Sequence, residues 1–244
     1  MKTVLVTGSD KGLGKSIIIK YASMGYNTII TYHTNKDEAT LLNDFVKDKY
    51  GVQSKVFNLD ISSEESVKSL RDTLVKEGIN VDVLINNAGI SIDNDYTNKD
   101  KDEFLKVVTT NLVGTYLVTK YIGKEMYDRK SGVIINISSN NSIDSYYKES
   151  IDYDASKAGI NNMTHNFANI FSPYVRVNAV CPGWINTPMN EGMSSVFKES
   201  QQKKILLGRF ANPEEIASLV YFLGSDDASY INDSIIKIDG GKRC

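Results

Sequence analysis

The sequence predicts an α/β fold, a Rossmann-type doubly wound parallel sheet of about seven strands flanked by helices on both faces. Three observations predict it. Short β-branched runs alternate with longer helical stretches along the chain. Several of those runs are nearly continuously apolar instead of alternating, the pattern of strands buried on both faces. The first run also leads straight into a glycine-rich turn that opens a helix.

The strand-like runs fall at 3–7, 28–32, 52–59, 81–86, 133–138, 175–180 and 234–238. Between them, 13–24 carries apolar residues near a 3.6 period and stops at Gly25. Ser62 and Glu65 stand at capping-box spacing before the next-but-one helix. Two long helices are predicted over 102–126 and 152–171. Pro213-Glu214-Glu215 opens a last one, with Pro in the first turn and acids that favour the helix dipole. The segment 187–208, beyond a buried strand, is polar and contains Met, and reads as a substrate lid. No linker, repeat or low-complexity tract divides the chain, so one domain spanning 1–244 is expected.

Composition narrows the function. With 28 Lys+Arg against 30 Asp+Glu, the formal charge of −2 argues against a nucleic-acid binder held by phosphate contacts. Cys181 and Cys244 make no multi-bridge framework, and no Cys/His cluster suggests a metal; a reducing cytoplasm is the expected compartment. No stretch has the length of a membrane span and no signal peptide is expected.

Strand one runs into Gly8-Ser9-Asp10-Lys11-Gly12-Leu13-Gly14. Glycines there permit a tight turn and let backbone approach a pyrophosphate at a helix N-terminus. An NAD site usually carries an acid at the end of strand two. Tyr32 stands there, followed by His33, and no carboxylate comes before Asp37. Lys11, His33 and Lys36 suit a 2′-phosphate, which favours NADP over NAD; Asp10 beside Lys11 works against it.

Tyr153 and Lys157 lie four residues apart at the start of a predicted helix and share its face. A phenol titrates near about 10, and a neighbouring ammonium favours its ionised form. Tyr153 is therefore a candidate general acid/base. Ser138 and Ser139 end the fifth strand, at the edge where such sheets bind ligands, and either hydroxyl suits a substrate carbonyl.

In this order the motifs resemble the short-chain dehydrogenase/reductase family over essentially the whole chain: Thr7-Gly8-x3-Gly12-x-Gly14, Asp60, Asn86-Asn87-Ala88-Gly89, Asn111, Ser139, Tyr153, Lys157 and Pro182-Gly183-x-Ile185-x-Thr187. Gly208-Arg209-Phe210, Pro213–Ala217 and Asp239-Gly240-Gly241 complete the match. The resemblance implies a catalytic tetrad of Asn111, Ser139, Tyr153 and Lys157. Lys157 would lower the Tyr153 pKa and bond the nicotinamide ribose, and Asn111 would hold a water that resupplies protons. Of the two serines it selects Ser139. It places Asp60 at the adenine ring, beside Ile61, and Ile185 and Thr187 at the carboxamide.

The resemblance runs nearest to 3-oxoacyl-acyl-carrier-protein reductases and related NADPH ketoreductases, and implies a homotetramer. The acidic loop 144–152 and the absence of an arginine near Phe171-Ser172-Pro173 put a carrier-protein partner in doubt, although Arg129, Lys130, Lys203, Lys204 and Arg209 suit a basic patch. Tyr146, Tyr147, Trp184 and Met189 are the substrate-pocket candidates. His165 reads as a packed or interface residue, Cys181 as a small buried hydrophobe, and Cys244 as without a role. NADPH-dependent ketone reduction is the leading reading. An NAD-linked alcohol, sugar or steroid dehydrogenase and a non-catalytic dinucleotide-binding regulator remain the alternatives.

Overall fold

In the computed structural model, residues 1–190 and 192–241 are described; Cys244 and Glu191, the latter within the expected lid, lie outside them. Seven strands form one sheet in the order β3-β2-β1-β4-β5-β6-β7. They are β1 (Thr3–Val6), β2 (Asn27–Tyr32), β3 (Ser54–Asn58), β4 (Val83–Asn86), β5 (Gly132–Ile137), β6 (Val175–Pro182) and β7 (Ile235–Ile238). Every pairing is parallel, with Val4 level with Thr28 on one side and Val83 on the other.

Burial on both faces explains the unbroken apolar runs. Val4, Val6, Val83, Ile85, Ile135 and Ile137 face one way. There they pack on α1 (Gly12–Ser23), α2 (Lys36–Tyr50) and α8 (Pro213–Gly224). The intervening Leu5, Leu84 and Ile134 face α3 (Glu64–Lys76), α5 (Gly114–Asp128) and α6 (Ile151–Phe171). The strand order reverses between β1 and β4, and that switch point opens a crevice at the C-terminal ends of the strands.

Three local expectations are corrected. The cap of α3 is Ser63, whose hydroxyl accepts from the Ser66 N–H at 3.2 Å. Ser62 instead donates its N–H and hydroxyl to Asp60 Oδ1, at 2.9 and 2.6 Å. The helix predicted over 102–126 is α4 (Lys101–Val108), a π-turn at Thr109–Val113, then α5. The π-turn carries Asn111, whose amide accepts from the Ile90 N–H at 2.8 Å and donates to its carbonyl at 2.9 Å. A widened turn of this kind aims a side chain that a regular helix would point elsewhere. Thirdly, 187–208 is not all loop: it holds α7 (Ser195–Gln202), with Ser194 accepting from the Phe197 N–H at 3.2 Å.

The turn from β1 to α1 is closed by contact. A Cβ on Gly14 would lie 2.4 Å from the Gly8 carbonyl oxygen and 2.7 Å from Asn87 Nδ2. Backbone on one side and a doubly bonded amide on the other cannot both retreat. Gly14→Ala is expected to destabilise the protein by about 1–3 kcal/mol through overpacking, read as a lowered denaturation midpoint.

Candidate active site

The cleft at the switch point encloses roughly 990 Å³. At one end lies the glycine loop. Lys11 occupies the N-cap position of α1 without a side-chain cap bond, and the first turn has no acid. The first N–H groups of a helix have no intrahelical partner, so this uncapped end presents donors and a positive dipole to the cleft. Gly12 has φ +55°, and a Cβ there would come no nearer than 3.7 Å to Thr187 and Pro188, in the space where a ligand would run. These features fit a dinucleotide pyrophosphate.

Asp10, Lys11, Gly12, Leu13, Gly8, Asn87, Ala88 and Gly89 line this end, and His33, Asp60 and Ile61 continue it beyond β2 and β3. Asn87 also braces the loop, donating to the carbonyls of Thr7 and Gly8 at 3.0 and 2.9 Å. Asp10 accepts from Asn35 Nδ2 at 3.2 Å. Burial works to raise the Asp60 carboxyl, but the two Ser62 donors and nearby His33 outweigh it and hold it below its ordinary value.

Several proposed cofactor contacts fall elsewhere. Ser9 is fully buried; its hydroxyl donates to the Val6 carbonyl at 2.9 Å and accepts from the Thr31 N–H at 3.0 Å. Gly14 acts behind the loop, as described. Tyr32 packs against the core cluster under α1 and α2, and His33, Thr34 and Asn35 line the cleft in its place. Lys36 starts α2, exposed, off the cleft wall.

The reacting groups converge where β5 ends against α6. Lys157 lies under the wall, 4% exposed, and donates from Nζ to the Ile137 carbonyl at 2.8 Å. Its Nζ sits 5.4 Å from the centre of the Tyr153 ring. Ser139 lies near enough to the Tyr153 phenol to favour its ionised form, while Ser138 turns away and donates to the Lys157 carbonyl at 3.0 Å. Asn111 is fully buried, spans Ile90 and Ser156, and lies beside the same centre: a Cβ on Gly89 would be 3.1 Å from its Oδ1 and 3.6 Å from Lys157 Nζ.

Electrostatically the pair departs from the sequence expectation. Burial pushes the Tyr153 phenol up to about 12; the Ser139 hydroxyl opposes this, and the Asp154 and Asp93 carboxylates add to it. Burial likewise brings Lys157 down to about 8. Desolvation penalises both charged forms and outweighs the attraction of the ammonium for a phenolate. In both groups burial favours the uncharged form.

Around the rest of the cleft, Pro182, Gly183, Ile185 and Thr187 line the stretch after β6, with Trp184, Met189 and Tyr147 further along. Tyr146 is the exception, 79% exposed and off the lining, because Asp154 takes the Tyr147 N–H at 2.8 Å and turns that neighbour inward instead. His165 is half-exposed and pairs with Asp233 on the surface; Cys181 is buried. Three of the five basic candidates for carrier docking have partners within the chain. Arg209 clamps Glu215 at 2.7 and 2.8 Å, Lys203 pairs with Glu199 at 3.0 Å, and Arg129 donates to the Val81 carbonyl.

Sequence reasoning missed the framework that fixes Tyr153. Lys99, whose side chain is 2% exposed, donates to the Ile92 carbonyl at 2.6 Å, Glu103 at 3.1 Å and Asp152 at 2.8 Å. Asp152 in turn accepts from the Tyr153 N–H at 2.9 Å. It also missed Ser91, Asp93, Ser150 and Phe197 on the cleft wall. The acids flanking Tyr153 were the only signal available, since their partners lie in distant segments.

A family model described as enoyl-(acyl carrier protein) reductase matches residues 8–243. The 3-oxoacyl-[acyl-carrier-protein] reductase FabG of Aquifex aeolicus is 36% identical, over 98% of this chain and 96% of the relative. That of Thermotoga maritima is 35% identical over 98% and 97%. Among solved structures, the acetoin dehydrogenase YohF of Salmonella typhimurium superposes with a TM-score of 0.88 at 28% identity, over 99% of this chain and 96% of that one. A protein from Agrobacterium tumefaciens described as a gluconate dehydrogenase gives 0.94 at 28%, over 98% and 95%. With the switch-point cleft, these matches make the protein an NAD(P)-dependent oxidoreductase. The chain belongs to the short-chain dehydrogenase/reductase family. Among the described residues no helix is long and apolar enough to cross a membrane.

Removing the Lys99 ammonium would leave the Asp152 carboxylate, which has no solvent exposure, without its partner. Lys99→Met is expected to cost about 3–5 kcal/mol, and the double change with Asp152→Asn to recover much of it, as measured by urea unfolding.

Proposed function

We propose that the protein reduces a ketone to a secondary alcohol with NADPH, Tyr153 giving the proton. The observation that carries this reading is the convergence of Ser139, Tyr153 and Lys157 at the end of β5, in the same cleft as the uncapped start of α1. When bound, a nicotinamide supplies hydride to the carbonyl carbon. Tyr153 is held protonated by burial and passes its proton to the carbonyl oxygen as negative charge develops there. The Ser139 hydroxyl orients that oxygen and donates to it. Lys157, below its pKa of about 8, offers an ammonium that stabilises the phenolate left behind. Asn111 fixes the Ile90 segment against α6 and supports proton resupply along this path.

NADPH is favoured over NADH because Lys11 and His33 line the ribose end, and β2 ends without a carboxylate. Asp10 is engaged by Asn35, which tempers its repulsion of a phosphate. A homotetramer in the cytoplasm completes the reading. Turnover of a small free carbonyl compound suits this chain better than docking of an acidic carrier, since Arg129, Lys203 and Arg209 are engaged within the chain.

The decisive experiment follows NADPH consumption on a carbonyl panel with Tyr153→Phe as control. The variant is expected to lose about 10²–10⁴-fold in kcat and keep its cofactor affinity; unchanged turnover removes Tyr153 from the mechanism. Cofactor binding without turnover of any carbonyl would favour a regulator. Lys11→Ala is expected to raise the KM for NADPH about tenfold and leave that for NADH unchanged, one lost phosphate contact being worth that much; equal effects would remove the 2′-phosphate assignment.

The pH dependence has a definite sign. Lys157 loses its proton as pH rises through about 8, so reductive kcat/KM is expected to fall above that value. Oxidation of the alcohol needs Tyr153 deprotonated, so its rate should climb with pH instead. Parallel pH profiles in the two directions would contradict this assignment.

A further inference from the structure

The cleft continues past Tyr153 into a chamber with two kinds of wall. One is aromatic: Tyr147, Trp184 and Phe197 sit with ring centres 5.8–6.2 Å apart, and Phe210 stacks on Trp184 at 5.6 Å. The other is polar and centres on Asp93. Its Oδ1 accepts from Ser91 at 2.8 Å and from Ser150, the residue at the N-cap position of α6, three positions before Tyr153.

The Asp93 segment is held at several points. Asn111 binds both backbone groups of Ile90, the Asn94 N–H donates to the Glu149 carbonyl at 2.9 Å, and Lys99 takes the Ile92 carbonyl. The carboxylate is thus a fixed feature of the wall, bonded to Ser150, which lies one helical turn before Tyr153.

Charge is unevenly divided along the cleft. Among its described lining residues, Asp10, Lys11, His33 and Asp60 belong to the nucleotide end, and Lys157 lies beneath the reacting centre. Among the described lining residues, Asp93 is the one charged side chain on the remaining wall. An ionised carboxylate has acceptor capacity for several donors, and two serines on one oxygen do not exhaust it. A substrate hydroxyl there would make a charge-assisted bond, whereas a substrate carboxylate or phosphate would meet a like charge. The rings accept the apolar faces of a short carbon chain.

We infer, building on the reductase reading, that the substrate is an uncharged carbonyl compound carrying a hydroxyl close to the carbonyl, and that Asp93 both binds that hydroxyl and rejects anionic carbonyl compounds.

The test uses the full-length protein with NADPH and three chain-matched probes, 1-hydroxybutan-2-one, butan-2-one and 2-oxobutanoate, together with an acetoacetyl thioester. The wild type should favour the hydroxyketone over butan-2-one by about tenfold or more in kcat/KM, the scale of a charge-assisted hydrogen bond, with 2-oxobutanoate lowest. Asp93→Asn keeps the shape and removes the charge. It should shrink the hydroxyl preference to about twofold and raise 2-oxobutanoate about tenfold, with NADPH affinity and thermal midpoint unchanged.

Equal use of the hydroxyketone and butan-2-one, a preference for 2-oxobutanoate or the thioester, or an unchanged order in Asp93→Asn would overturn the inference. In those cases Tyr153-dependent turnover would leave the reductase reading standing. No turnover of any probe by a protein that binds NADPH would remove both.

Discussion

Desolvation of the Tyr153–Lys157 pair is the constraint on which the site depends. Water around these groups would let the phenol and the amine titrate near their ordinary values, separately and without effect on each other. Their burial makes both charged forms costly, so the fold must supply partners for each. The Ile137 carbonyl takes the ammonium, and the Ser139 hydroxyl stands beside the phenol. Both partners come from the end of β5. The strand that builds the sheet therefore also sets the chemistry, and a shift of α6 along β5 would break both contacts together.

That dependence explains the density of clamps around the switch point. Three buried polar devices hold three segments. Thr7 accepts from the N–H groups of Asn87 and Ala88 at 2.9 and 3.0 Å, joining the ends of β1 and β4. Asn111, aimed by the π-turn, joins the segment after β4 to α6. Lys99 joins the same segment to α4 and to the residue preceding Tyr153. Each device replaces water around a buried polar atom with fixed protein partners. Such a network is stabilising only when it is complete, and losing one member strands the others. The price in stability is accepted at the one place where position matters to less than a bond length.

How much of this was legible in the sequence follows from the range of the interactions. The sheet was legible because burial on both faces writes itself as unbroken apolar runs, although Val52 packs in the core without joining the β3 ladder. The glycine loop was legible because Gly8 and Gly12 adopt φ of +59° and +55°, which other residues rarely take up. Tyr153 and Lys157 were legible because one helix carries both. The ion pair of Lys99 with Asp152 was not, since its partners are 53 residues apart and neither follows a local rule. Nor was the choice between Tyr146 and Tyr147, which a single bond to Asp154 decides. The burial of the pair was not legible for a related reason: spacing in a helix reveals a neighbouring charge but not how much water the folded chain removes.

The same limit bears on how one fold serves many substrates. Glycine loop, Tyr153 and Lys157 are fixed by the sheet, and their cost is met by contacts within it. The candidate substrate wall is assembled differently, from the segment after β4, the loop before α6 and the helix α7, which meet outside the sheet, largely through side chains. Replacing Ser91, Asp93, Tyr147 or Phe197 disturbs no strand pairing and no contact of the Lys157 ammonium, so selectivity can change while the proton donor stays where it is. A charge is the strongest single change available on such a wall, because it acts on every ligand group within reach. Asp93 stands on that wall, bonded to Ser150 one turn before Tyr153, and its sign opposes that of Lys11 at the nucleotide end. An anionic group would meet a like charge there, while the nucleotide end sets Lys11 against Asp10 and Asp60.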